Sequence, residues 1–185
     1  MTRSALSSFA IVAACVTLAA CASMPGGSNR VASATATIST PSGQERGTAD
    51  IWQDADKVVH VSAQLTGLTP GAHGIHFHAV GNCDPSGTTV FAAAGAHYNP
   101  LGRQHGMDNS AGPHAGDAPN LMVAPDGTAE LTFTTDRVSL TEGSTSLFDA
   151  DGSAIVIHAA ADDQTSQPAG NSGARIACGV VKRTN

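Results

Sequence analysis

The chain is poor in charge, in helical periodicity and in long apolar runs. Only 13% of its 185 residues are charged, and the formal net charge is −6. No basic stripe occurs, so DNA, RNA and anionic lipid surfaces are poor partners for the folded part. No long segment repeats its apolar residues at a helical interval. Beyond residue 21 no run is long and apolar enough to span a bilayer. Internal repeats are missing too. What is present is abundant glycine, 20 residues of it, among Val, Thr and Ala. Length and composition predict one all-β domain with many turns.

Residues 1–20 stand apart from that domain. Arg3 supplies a positive start, and Ala5 to Ala20 is apolar and small, the pattern of an export signal. It ends in Leu18-Ala19-Ala20-Cys21, which resembles the bacterial lipobox, whose cysteine becomes the lipidated first residue of the mature chain. Val12-Ala13-Ala14-Cys15 fits more loosely. Several acyl chains on Cys21 would suffice for stable membrane attachment. Ala22 and Ser23 lack the Asp that retains many lipoproteins in the inner membrane, which points toward the outer one. Residues 22–30 are small and polar and read as a flexible tether. The domain is expected over 31–185, exported to the periplasm or cell envelope.

Cysteine is scarce, with four in all. Removing Cys15 in the signal and Cys21 under lipid leaves Cys83 and Cys178. In an exported protein two remaining cysteines read as a disulfide.

Eight stretches read as strands: 31–40, 48–53, 57–65, 74–78, 121–123, 129–134, 154–158 and 175–181. Gly67-Leu68-Thr69-Pro70-Gly71 and Asp126-Gly127 mark turns between them. Short strands at this spacing predict an antiparallel sandwich or flattened barrel. Residues 81–120 show no period, so an ordered loop there needs pins, and a disulfide and a metal are the expected ones. Residues 138–152 read as polar and irregular, and 159–174 as a second loop.

Within the strand Gly74-Ile75-His76-Phe77-His78, period-two alternation puts His76 and His78 on one face and Ile75 and Phe77 on the other. The apolar pair can anchor the strand, and two imidazoles then face outward at a spacing suited to one metal ion. The long loop adds His97, His105, His114 and Asp117, the donor set of a closed tetrahedral zinc site. Val156-Ile157-His158 ends the seventh strand with a further imidazole.

With these stretches, Gly95-Ala96-His97-Tyr98-Asn99-Pro100, His114-Ala115-Gly116-Asp117 and Gly173-Ala174-Arg175-Ile176-Ala177-Cys178-Gly179, the chain resembles the copper/zinc superoxide dismutases. The resemblance extends over most of 31–185. It implies a Greek-key, eight-stranded flattened barrel or immunoglobulin-like sandwich, with a long disulfide and zinc loop and a second active-site loop. It implies copper on His76, His78, His97 and His158, and zinc on His97, His105, His114 and Asp117, one of each ion per subunit. His97 would be shared as an imidazolate and would donate a proton. Arg175 would flank the copper, and Cys83 would pair with Cys178. Asp162 would link ligands of the two metals. The implied reaction is dismutation of superoxide to oxygen and hydrogen peroxide.

Three features depart from the family pattern. The stretch from Cys83 to His97 is longer than in compact animal members, and Thr88 to Phe91 is apolar enough to cover something. Longer loops there are typical of bacterial members, whereas the zinc-loop spacing looks like the animal pattern, and this mixture leaves monomer and homodimer both open. Residues 159–174 hold no Lys or Arg, so attraction of the anion is expected to rest on Arg175, with Arg103 as a helper. His73, opposite the copper pair, is expected to be structural, and His60 structural or on the surface.

Overall fold

The computed structural model describes residues 29–184. The expected export signal and Cys21 fall outside that range. Ten strands form: β1 (Arg30–Ser39), β2 (Glu45–Asp54), β3 (Val59–Leu65), β4 (Gly71–His73), β5 (Ile75–His78), β6 (Leu121–Val123), β7 (Ala129–Thr135), β8 (Ala154–His158), β9 (Arg175–Val180) and β10 (Lys182–Arg183). Among the described residues the only helical piece is a single tight turn, Ala92–Ala94, and no helix is long and apolar enough to cross a membrane.

All eight expected strands are present. The count reaches ten because two short strands lie outside the expected stretches: β10, which pairs with β1, and β4, which precedes the 74–78 stretch and pairs with β6. The sheet runs in the order β4-β6-β7-β3-β2-β1-β9-β8-β5. The connection from β3 to β4 passes over β6 and β7, a Greek-key step. β4 and β5 are adjacent in the chain yet lie at opposite ends of this path, so one peptide link at Gly74 closes the barrel. That link is tight. Gly74 N–H donates to Ala160 O at 2.8 Å, Gly74 O accepts from His158 N–H at 2.8 Å, and a Cβ here would lie 2.9 Å from Ser172 Cβ.

Alternation on β1 to β3 fills the barrel. Ala34, Ala36, Ile38, Ala49, Ile51, Val59, Val61, Ala63 and Leu65 point inward. Each buried Ile or Leu contributes about 1.5–3 kcal/mol. β5 and β8 are buried on both faces. Ile75, Phe77, Ile155 and Ile157 join the main core, while Ala154 and Val156 on the other face pack with Phe91, Ala94 and Cys178 in a second cluster. Phe91 is thus what the extra length before His97 uses to cover β8.

Two loop expectations need correction. The 81–120 loop is held partly by the core itself, since Tyr98, Ala115 and Ala118 are buried in the main cluster and Tyr98 Oη donates to Ser146 O at 2.7 Å. The 138–152 segment is irregular but contributes Val138, Leu140 and Leu147, all at most 1% exposed. Single apolar residues in a non-periodic stretch carry no pattern that reveals their burial.

Candidate metal centre

The outward face of β5 is not exposed to solvent. The 81–120 loop folds back over it, with bridges from His76 to Asp117 and from His78 to His97. His76, His78, His97, His105, His114, Asp117 and His158 are all buried. His76 and His78 come from alternate positions of β5. His158 ends β8, the strand paired with β5.

The hydrogen bonds select which nitrogen of each ring faces inward. Carbonyl oxygens only accept, so His78 Nδ1 donates to Gly95 O at 3.0 Å and His158 Nδ1 donates to Gly173 O at 3.1 Å. His76 Nε2 lies 2.6 Å from Asp162 Oδ2. The nitrogens left over are His76 Nδ1, His78 Nε2 and His158 Nε2, and His97 Nε2 joins them. All four are buried without a hydrogen-bond partner. Buried polar atoms are seldom left so. Four unpaired imidazole nitrogens turned to one point fit copper.

The second cluster forms around Asp117. Its Oδ1 lies 3.1 Å from His97 Nδ1, 3.0 Å from His105 Nδ1 and 3.5 Å from His114 Nδ1. Its Oδ2 accepts from the main-chain N–H of Gly106 at 2.8 Å and of His114 at 3.0 Å. Three nitrogens and one carboxylate oxygen fit tetrahedral zinc. Within each cluster the donor atoms lie no more than 4.8 Å apart, and His97 belongs to both.

Asp162 joins the clusters from behind. Its Oδ1 lies 3.0 Å from His105 Nε2 while its Oδ2 holds His76. Asn120 holds the Asp162 peptide on both sides, accepting from its N–H and donating to its O at 2.8 Å each. Ligand histidines held this way on their second nitrogen keep a fixed tautomer and aim.

Electrostatics fit the same arrangement. Burial lowers the pKa of His76 to about 3 and of His158 to about 4, and holds His78 well below the usual 6.5. His97 is lowered by burial as well. Neutral imidazole is the form that binds a metal. At His105 burial also works against charge, but Asp117 and Asp162 on its two nitrogens outweigh it and raise the pKa to about 9. Burial would raise the carboxyls of Asp117 and Asp162, yet their histidine partners hold both below the usual range.

These shifts predict the pH response of the metal-free protein. As pH falls below 6.5 the unfolded chain takes up protons that folded His76 and His158 refuse until about 3 and 4, so stability drops. His105 acts oppositely: its stabilisation is complete below 6.5 and is lost as pH rises through about 9. The thermal midpoint of metal-free protein is expected to peak near pH 6.5 and fall on both sides. A midpoint that still climbs toward pH 4.5 would contradict this.

Residues 45–181 match the family described as copper/zinc superoxide dismutase (SODC). The chain belongs to the copper/zinc superoxide dismutase family. It is 42% identical over 153 residues to the Cu-Zn superoxide dismutase of Caulobacter vibrioides, covering 81% of this chain and 86% of that one. It is 40% identical over 149 residues to Cu-Zn superoxide dismutase 1 of Aquifex aeolicus, covering 80% and 86%. The crystal structure of a SOD-like protein from Bacillus subtilis superposes with a TM-score of 0.73 at 35% identity, over 79% of this chain and 96% of that one. The four-nitrogen cluster is the copper site of this dismutase and the Asp117 cluster is its zinc site.

Cys83 and Cys178 are bonded, with Cα atoms 5.6 Å apart. Arg175 lies opposite His158 in the β8–β9 pairing, where Ile176 bulges out of register. Its Nη1 donates to Phe91 O and its Nη2 to Gly95 O, each at 2.6 Å. Arg103 is exposed and lines a cleft with Leu101, Gly112, Pro113, Ala115 and Arg137, none of which belongs to the copper set. His73 is structural, with Nδ1 2.7 Å from His158 O and Nε2 2.9 Å from Thr69 O. His60 stacks on Trp52 at 3.6 Å and bonds Asp54 at 2.9 Å. Sequence reasoning missed Arg137, whose Nη2 donates to the Asp117 main-chain O at 2.7 Å. Nothing in the local pattern around Arg137 marks that contact.

Proposed function

We propose that this dismutase works at the cell envelope on a lipid anchor: residues 1–20 direct export, Cys21 carries the acyl chains, 22–30 tether the enzyme, and 31–185 form the catalytic domain. The lipobox-like Leu18-Ala19-Ala20-Cys21 supports the anchor, and a Cys83–Cys178 disulfide suits an oxidising compartment. Copper, when bound, supplies the one-electron exchange by which one superoxide is oxidised to dioxygen and a second, with two protons, is reduced to hydrogen peroxide.

The observation that carries the mechanism is the double membership of His97. With Nδ1 kept in the Asp117 cluster, its Nε2 is free to hold a proton and hand it to the reduced oxygen species. Arg175 binds the anion. Its guanidinium remains cationic, although burial lowers its pKa, and two carbonyls fix its plane. The N–H groups not spent on these carbonyls are left to bind the incoming anion. No Lys or Arg occurs in 159–174, so attraction of superoxide rests on Arg175, with exposed Arg103 as a helper.

An Arg175→Ala variant is expected to lose about tenfold or more in rate, with a flatter dependence on ionic strength, because screening acts on exposed charge. Unchanged rate and salt slope would overturn the role. Cys21→Ser is expected to leave the membrane fraction and to take up no labelled fatty acid while keeping activity. Continued acylation of that variant would assign the anchor to Cys15.

A further inference from the structure

We propose that Gln164 is the positioning residue of the zinc site, tying the two ligand-bearing parts of the long loop to the segment that carries Asp162. The inference rests on the zinc reading of the Asp117 cluster.

Gln164 is 9% exposed, an unusual depth for an amide side chain. Its Oε1 accepts from Met107 N–H at 3.3 Å, two residues past His105. Its Nε2 donates to Ala118 O at 3.2 Å, one residue past Asp117. One amide thus spans the segments that present two zinc ligands, and neither segment has regular structure to hold it. The main chain of Gln164 contributes as well. Its O accepts from Asp108 N–H at 3.1 Å, and its N–H donates to Asp162 Oδ1, the oxygen facing His105, at 2.6 Å.

The backbone supports this reading. Gln164 sits at φ 61°, a left-handed conformation that side chains other than glycine seldom adopt. Such strain persists where the surroundings over-determine it, and here it is what turns the N–H toward Asp162 and the O toward Asp108. Gly106, next to His105, leaves room for the approach, since a Cβ there would overlap Gln164 O. Gln167 adds an exposed second contact, accepting from His105 N–H at 2.8 Å and donating to His105 O at 3.0 Å.

A Gln164→Met variant keeps the length and the main-chain bonds but loses both side-chain bonds. Outer-shell partners of metal ligands change affinity by roughly 10–100-fold. Zinc affinity, read by competition with a chromogenic chelator, is expected to fall about tenfold. Copper affinity of the four-nitrogen set is expected to stay close to that of the unaltered protein, and the thermal midpoint of the metal-free form to fall only modestly, since Met107 N–H and Ala118 O lose their partner. Gln164→Gly, which relieves the backbone strain, is expected to lose zinc affinity as well. Unchanged zinc affinity in both variants would overturn the proposal. So would an equal loss for both metals with a strongly lowered metal-free midpoint, which marks general loosening. If neither variant folds, hydrogen exchange on the zinc-loaded unaltered protein decides, because unprotected Met107 and Asp108 amides would refute the tie. Failure of the unaltered protein to bind zinc would instead sink the zinc reading itself.

Discussion

Replacing His97 with alanine is expected to reduce dismutation by more than about 100-fold, beyond the usual effect of an outer-shell change, and to weaken zinc as well as copper binding. His97 is the one residue common to both clusters, so a single substitution opens both. The copper set keeps His76, His78 and His158, and the zinc set keeps His105, His114 and Asp117. Each would then present an open position, and zinc sites with three protein ligands leave one for water. Proton delivery would also be lost, since among the described residues no other ring belongs to both clusters. His78→Ala is the control: it removes a copper ligand only, and zinc content is expected to hold. Metal analysis beside a superoxide assay checks both. A His97→Ala protein with full zinc and more than a tenth of the activity would refute the shared role.

Removing the disulfide should produce the largest loss of stability. Cys83 and Cys178 are 95 residues apart, and a chain-entropy argument assigns such a crosslink roughly 4–5 kcal/mol. For a domain of this size that is a fall of about 10–20 °C in thermal midpoint. The Cys83→Ser/Cys178→Ser double variant avoids leaving a lone thiol. Packing of Phe91 and Ala94 on Ala154 and Val156 would still hold part of the loop. The functional cost follows from Arg175, whose two anchoring carbonyls, Phe91 O and Gly95 O, lie on the loop that the disulfide pins. Looser carbonyls mean a less well-aimed guanidinium, so activity measured well below the midpoint is expected to fall too. A midpoint within about 3 °C of the unaltered protein, on the same scaling, would show that core contacts alone order the loop.

Much of the site was legible because local rules expose it. Period-two alternation sufficed to put His76 and His78 on one face and Ile75 and Phe77 in the core. The polar loop displayed its donor set as residue types, and resemblance to a known family sorted those types between two ions. The strands were readable where one face is apolar. Val138, Leu140 and Leu147 were not, because isolated apolar residues outside a repeating element have no phase.

Residue order alone displayed the candidate donors, the strand faces and the cysteines available for bonding, since each depends on chain-local periodicity or on composition, while the division of donors between copper and zinc followed from the family resemblance. Tertiary structure decided the rest. It decided that the barrel closes through Gly74, that the outward face of β5 is buried, and which nitrogen of each ring points to which cluster. It also decided that Asp162 reaches His76 across 86 positions and that Gln164 spans the zinc loop. Those contacts join irregular segments far apart in the chain, and their geometry exists only after the barrel has brought the segments together.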